Sequence, residues 1–320
     1  MPGFRQSLPT PHECRKVTES TTLTLEEVAM KIGIFAMLSE KTIDPVSAAR
    51  RCEELGFESF WVPEHAIIPV HMRVPYPALD GKIPDPYTRF PDPFVLLGMA
   101  AAVTKTLKLG TAICLVPERH PLALAKEVAT LDYFSGGRVL FGVGAGWQAD
   151  ESEIMGVDFR QRWPITRDYL RAMQELWTKP EASYEGKFVK FPPVLANPKP
   201  MQKPHPPIFI GAGGLNWKCE RAVKDTVALG NGWMPVALPP KDLAYHLGVM
   251  KQLCAEAGRN FDELEISMTF LQQPELQPQD PRRALVEYAE AGAHRLILCP
   301  VLERATAERT LEKMAKDYLR

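Results

Sequence analysis

Short apolar runs and helix-period segments alternate eight times along this chain, and no other feature restricts the possible folds so much. The runs are Lys31–Ala36, Ser59–Val62, Leu107–Ile113, Val139 onward to a glycine series, Ile208–Ile210, Gly232–Pro235, Leu264–Thr269 and Arg295–Leu298. The helical segments that follow them are Pro45–Gly56, Asp92–Thr104, Pro121–Phe134, Ile165–Trp177, Trp217–Leu229, Pro240–Ala257, Pro281–Ala291 and Glu303–Leu319. Runs such as Val139-Leu-Phe are apolar almost without interruption, which suits strands covered on both faces, as in a parallel sheet. Local punctuation agrees: Asp44 is a natural N-cap, Pro45 suits the first helical position, and Gly56 suits a C-terminal stop. Eight such units in about 290 residues predict an α/β fold closed as a (β/α)8, TIM-like barrel, with its site at the C-terminal ends of the strands. A doubly wound open sheet is the alternative.

Long insertions follow the second strand, the fourth strand and the fourth helix, and most of this mass is expected to cap the C-terminal mouth. The insertion over 180–207 contains a predicted hairpin around Tyr184-Glu-Gly-Lys187. Residues 1–29 are polar, rich in Ser, Thr and Pro, and show little periodicity, so they are expected to be an extension outside the fold. Residues 30–320 then form a single domain.

Charge narrows the partners. Lys and Arg total 38 against 39 Asp and Glu, interleaved with no basic stripe, which argues against nucleic acid or an anionic membrane surface. No apolar run approaches the roughly 20 residues that span a bilayer. The N-terminus has no apolar core of a secretory signal, so a cytoplasmic location is expected. The six cysteines are scattered, without C-x-x-C or zinc spacing, so reduced thiols and no metal site are expected.

The fourth run ends in Gly142-x-Gly144-x-Gly146 and then Trp147. Glycines at a strand end leave backbone bare for a close neighbour. A dinucleotide fingerprint would be G-x-G-x-x-G in the first βα unit, opening a helix. Here the spacing differs, the run is mid-chain, and Gln148 to Glu153 do not read as a strongly packed helix. Tight packing at a barrel rim is the plain reading; a flat cofactor ring against bare backbone is the functional one. Pro63-Glu64-His65 closes the second strand, where a histidine can move protons near neutral pH and Glu64 can orient or receive one. Gly211-Ala212-Gly213-Gly214 follows the fifth strand and precedes a helix, a pattern that suits either a simple turn or an anion nest of backbone N–H groups.

Taken in order, several stretches resemble the luciferase-like monooxygenase superfamily, and more closely its F420-dependent oxidoreductases. They are Glu53-Glu-Leu-Gly-Phe-Glu-Ser-Phe-Trp-Val-Pro-Glu-His65, Leu109-Gly-Thr-Ala-Ile113, Ala125 to Arg138, Gly142 to Trp147, Pro206 to Gly214 and Gly230-Asn-Gly-Trp-Met-Pro235. The resemblance implies a TIM-like barrel with F420, an 8-hydroxy-5-deazaflavin, or FMN at its mouth. It implies a non-prolyl cis peptide at Ala112–Ile113 backing the ring, with Gly144, Ala145, Gly146 and Trp147 beside it. It places the cofactor phosphate at Gly211, Ala212, Gly213 and Gly214, and it sets His65 near the reactive ring edge. The family's sugar-phosphate dehydrogenases carry a glutamate after the glycine run. Trp147 stands there instead, which speaks against a sugar-phosphate and for a small substrate that is apolar or unsaturated.

The reading is therefore an F420-dependent oxidoreductase with His65 as proton handler and Glu64 as its helper. An FMN-dependent monooxygenase served by a flavin reductase is the second reading, and a non-catalytic flavin-binding protein is the third. The resemblance also implies a homodimer.

Overall fold

The apolar runs become the staves of one closed parallel barrel in a computed structural model that describes residues 29–76, 81–213, 218–272 and 277–319. Nearly all of the expected N-terminal extension lies outside the described residues. The chain runs β1 (Lys31–Phe35), α1 (Pro45–Leu55), β2 (Ser59–Val62), α2 (Pro93–Val103), β3 (Lys108–Thr111), β4 (Cys114–Leu115), α3 (Pro121–Ser135) and β5 (Val139–Gly144). It continues through α4 (Ala149–Ile154), α5 (Arg162–Thr178), the hairpin β6 (Ala182–Glu185) and β7 (Lys190–Val194), then β8 (Ile208–Ile210) and α6 (Glu220–Leu229). The last units are β9 (Gly232–Trp233), α7 (Pro240–Glu256), β10 (Glu265–Thr269), α8 (Pro281–Glu290), β11 (Arg295–Leu298) and α9 (Ala307–Tyr318).

Barrel strands neighbour one another in the order β3-β2-β1-β11-β10-β9-β8-β5, and β5 pairs back to β3 to close the ring. Every ladder in the ring is parallel, with registers such as Gly33 opposite Ser59, Leu109 opposite Val139 and Phe141 opposite Ile208. The third stave differs from its expected form. Predicted as continuous to Ile113, it breaks after Thr111, where the Ala112–Ile113 peptide is cis, and resumes as β4 against Val143 and Gly144.

Two layers fill the barrel. At the N-terminal end the buried Arg295 guanidinium bonds Glu58 at 2.8 and 2.9 Å and Ser267 Oγ at 2.8 Å, pairs with Glu265, and lies over the rings of Trp61 and Phe209. Trp61 donates its indole N–H to Ser59 at 2.8 Å. A methyl group on Gly110 would collide with the Trp61 ring, so the small residue of β3 makes room for the large one of β2. Above this layer Phe35, Leu140, Met234, Leu271 and Ile297 form an apolar floor under the mouth.

Three local expectations need correction. Gln148 to Glu153 do enter a helix: the Gln148 side chain accepts from Asp150 N at 2.9 Å and α4 follows. Helix α5 starts at Arg162, ahead of the residue expected, because Pro164 sits in the first turn, where its missing N–H has no helical partner to lose. The 180–207 insertion does not reach the mouth. Its hairpin braces α5, with Tyr184 Oη donating to Asp168 at 2.9 Å and Phe188 N donating to the same carboxylate at 2.6 Å.

Candidate active site

A cavity of about 540 Å³ opens at the C-terminal ends of the barrel strands. Its walls fall into three chemical parts. Ala112, Ile113, Leu115, Ala145 and Met234 make an apolar bed. Tyr76, Tyr87, Phe90 and Trp147 make an aromatic wall around His65. Arg160, Arg162, Lys218 and Arg221 supply the cationic part of the lining, which also includes Gly211, Ala212 and Gly213.

The expected glycine bed has a more particular cause. A methyl group on Gly144 would strike the Ile113 side chain, and one on Gly211 would strike the same residue. Gly144 therefore lies one layer below the surface, cleared for Ile113. A methyl on Gly142 would meet the Thr111 carbonyl of the neighbouring stave. Gly146 is needed for another reason: its φ is 79°, a left-handed conformation that glycine adopts without penalty. Ala145, Gly146 and Trp147 then face the cavity, together with the cis Ala112–Ile113 segment. Gly211, Ala212 and Gly213 line the cavity as the sequence suggests, while Gly214 lies outside the described residues.

His65 is held from both sides. Its Nδ1 lies 2.5 Å from Glu151 Oε2, and its Nε2 accepts the Trp147 indole N–H at 3.2 Å. The two side chains of the first pair are 6% and 1% exposed, so this is a buried contact. Since Nε2 accepts, the neutral ring carries its proton on Nδ1 and donates it to Glu151. Phe90 stacks on the imidazole with ring centroids 6.2 Å apart and planes at 19°. Glu64 is placed differently from the sequence expectation. It lines the cavity, but its oxygens accept from Leu115 N at 2.7 Å and from Arg119 Nε at 2.6 Å, so it ties β2 to the chain around β4.

Glu151 is the site residue that sequence reasoning missed. It lies 86 positions from His65, in a segment read as a polar insertion. Behind it, Glu118 accepts from Ser152 Oγ at 2.6 Å, and its other carboxyl oxygen is buried with no hydrogen-bond partner among the described residues. Burial, with the nearby carboxylates of Glu151 and Glu64, pushes Glu118 up to about 8. The cationic end was missed too. Arg162 donates to the Gly146 carbonyl at 3.2 Å and to the Phe159 carbonyl at 2.8 Å, which fixes it against the glycine turn. Burial and the neighbouring Arg221 lower its affinity for its proton. Each of these cations looked, in sequence, like an ordinary solvated charge.

The sequence profile of the family described as luciferase-like monooxygenase matches residues 30–312. The chain belongs to that family. Luciferase-like proteins are oxidoreductases and monooxygenases that depend on flavin or F420, and this chain is accordingly an oxidoreductase. It is 42% identical to the uncharacterised protein Rv0953c of Mycobacterium tuberculosis over 235 residues, covering 72% of this chain and 80% of that one. It is 34% identical to the FMNH(2)-dependent dimethylsulfone monooxygenase of Pseudomonas putida over 135 residues, covering 41% of this chain and 35% of that protein. An F420-dependent secondary alcohol dehydrogenase, solved as an F420-acetone adduct, superposes with a TM-score of 0.70 over 91% of this chain and 98% of that one. At 19% identity that likeness shows the shared barrel fold. Luciferase-like relatives thus include users of either cofactor.

Proposed function

We propose that this chain is an F420-dependent oxidoreductase that moves a hydride between a deazaflavin at the barrel mouth and a small organic substrate with an apolar or unsaturated body. The observation that carries this reading is the charge of the cavity lining. Four cations, Arg160, Arg162, Lys218 and Arg221, line it together with Gly211, Ala212 and Gly213, while the bed and the wall around His65 are hydrocarbon and aromatic. FMN brings one phosphate to such an end. F420 brings a phosphodiester followed by carboxylates, and a cluster of guanidinium and ammonium groups matches that longer anion better.

In this reading Ala112, Ile113, Ala145, Gly146 and Trp147 back the flat ring, and Gly211, Ala212 and Gly213 hold the phosphate with Arg162, Lys218 and Arg221. Bound deazaflavin supplies a two-electron hydride donor or acceptor. The protein supplies position and a proton. Glu151 fixes the Nδ1–H of His65, which leaves Nε2 as the basic lone pair at the cavity wall. The Trp147 indole occupies that lone pair through a long bond, one that a substrate hydroxyl can replace. Homodimerisation belongs to the same reading, and a reductase partner would be needed only with FMN.

Titration of the purified protein with F420 and with FMN, followed by tryptophan quenching, tests the cofactor. Tighter binding of F420, weakened by salt and by removal of Lys218 and Arg221, is expected. Binding of FMN alone would overturn the assignment.

A further inference from the structure

Four consecutive residues of α4 each hold a neighbouring part of the mouth. Asp150 accepts from Arg73 N at 2.9 Å and pairs with the Arg73 guanidinium, which also donates to Glu153 at 2.5 Å. Glu151 meets His65 Nδ1 at 2.5 Å and lies 3.5 Å from Ile67 N. Ser152 turns the other way and donates to Glu118 at 2.6 Å. Just ahead of the helix, the Gln148 amide reaches the Val74 carbonyl at 3.5 Å. The chain from His65 to Val74 is thus tied to one six-residue helix, which is too short to be stable by itself. On its outer side Arg73 is 62% exposed, and ion pairs in water hold weakly. The inner tie is the one to Glu118.

Glu118 ends the turn Val116–Glu118 between β4 and α3. Its Oε1 accepts from Ser152 Oγ and stands against the glycine turn, where a methyl on Gly146 would lie 3.3 Å away. Its Oε2 is buried with no hydrogen-bond partner among the described residues. An unpaired carboxylate oxygen in such a place is costly, and a neutral carboxyl much less so. The groups around it do not offset an ionised form. Helix α4 brings Glu151 and the end of β2 brings Glu64, and both raise its affinity for a proton. Arg119, next in the chain, is shared among Glu64, Asp92 and Glu127 of α3, and His120 is exposed. From α5, which packs on the same turn, Arg162 is bonded to the Gly146 and Phe159 carbonyls. Burial first, then Glu151 and Glu64 against the Ser152 bond, push Glu118 up to about 8.

We infer that α4 is a latch, locked by the neutral carboxyl of Glu118, that holds the 65–76 segment over the cavity, and that loss of the Glu118 proton releases it. While the latch is closed Glu118 keeps its proton. When α4 moves off, Glu151 leaves and water reaches the carboxyl, which returns toward 4.5. Between these values opening releases one proton, so the closed form becomes less stable as pH rises from about 5 to about 8, and no less stable beyond that. Release frees the wall that carries Tyr76 and takes Glu151 from His65. The latch needs neither cofactor nor substrate.

Hydrogen exchange of the full-length protein, read peptide by peptide from about pH 5 to about pH 9 and corrected for the intrinsic rate, tests the latch. Protection over 66–76 and 149–155 is expected to fall about tenfold per pH unit up to about pH 8 and then to level off, as release of one proton requires. Strands β1 and β11 are expected to stay protected throughout. Glu118→Gln should hold both mouth segments at a protection that does not change with pH. Arg73→Ala, at an exposed position that folding does not need, should lower protection over 66–76 at every pH and leave the slope over 149–155. A native protein whose mouth segments show no pH dependence overturns the latch, as does a slope that survives Glu118→Gln. Unchanged protection over 66–76 in Arg73→Ala would mean that α4 does not carry the loop, and overturns it equally.

Discussion

At His65 the two ring nitrogens have different partners. Nδ1 faces a buried carboxylate and Nε2 faces an indole N–H and the cavity, so in the proposed chemistry Nδ1 keeps its proton and Nε2 exchanges one. His65→Ala is expected to leave F420 affinity within about twofold and to lower turnover by about 10²–10⁴, the range of general acid–base contributions. Stopped-flow measurement of the chemical step checks it, and unchanged turnover would remove the proton role. His65 was legible in sequence because a histidine closing a barrel strand stands at the mouth by topology alone. Its partner was not. Glu64 is adjacent in the chain, yet successive residues of an extended segment point to opposite sides, and Glu64 turns to Arg119. Glu151 meets His65 only because α4 folds back over the rim.

The elements around the mouth show how short segments fix that rim. Helix α4 has only six residues, too few to be stable alone, so its position depends on contacts such as Ser152 with Glu118. Glu118 gives this contact a pH dependence. Its folded pKa is raised from 4.5 to about 8. Between those values the folded protein holds a proton that the unfolded chain has released, so stability falls as pH rises through that interval. Glu118→Gln, which keeps the shape without the charge, should therefore exceed the native protein in thermal stability by a margin that grows from about pH 5 to about pH 8. A margin that shrinks over that range, followed by calorimetry at several pH values, would contradict the buried-acid account. The helix caps at Asp44, Asp92 and Gly56 follow the sequence closely, because capping is local chemistry. The interruption of the third stave is not visible in Leu107–Ile113 as a pattern; it was implied by family resemblance, and it is what frees Ile113 to cover Gly144 and Gly211.

Across the whole molecule, the barrel is closed at one end by charge and aromatic packing and opened at the other for chemistry. The Arg295 layer fills the N-terminal end, with Glu58 and Glu265 as its counterions. Removing the cation would leave the Glu58 carboxylate without its ion-pair partner and Glu265 with Lys31 alone. Arg295→Ala is expected to cost about 3–5 kcal/mol in denaturant unfolding. A loss below about 1 kcal/mol would show that water solvates this layer well. Among the described residues no helix is long and apolar enough to cross a membrane. The sequence by itself determined the architecture, since strict β/α alternation with two-faced apolar strands has few solutions and local caps mark the boundaries. It also determined which strand ends face the mouth, and so named His65, Trp147 and the Gly211–Gly213 turn. Only the tertiary structure decided which side chains meet there: Glu151 with His65, Tyr76 with Tyr87, and the four cations that line the cavity. Those pairings join residues far apart in the chain or on irregular loops, where no periodicity records direction, and burial and hydrogen bonding in the folded state select them.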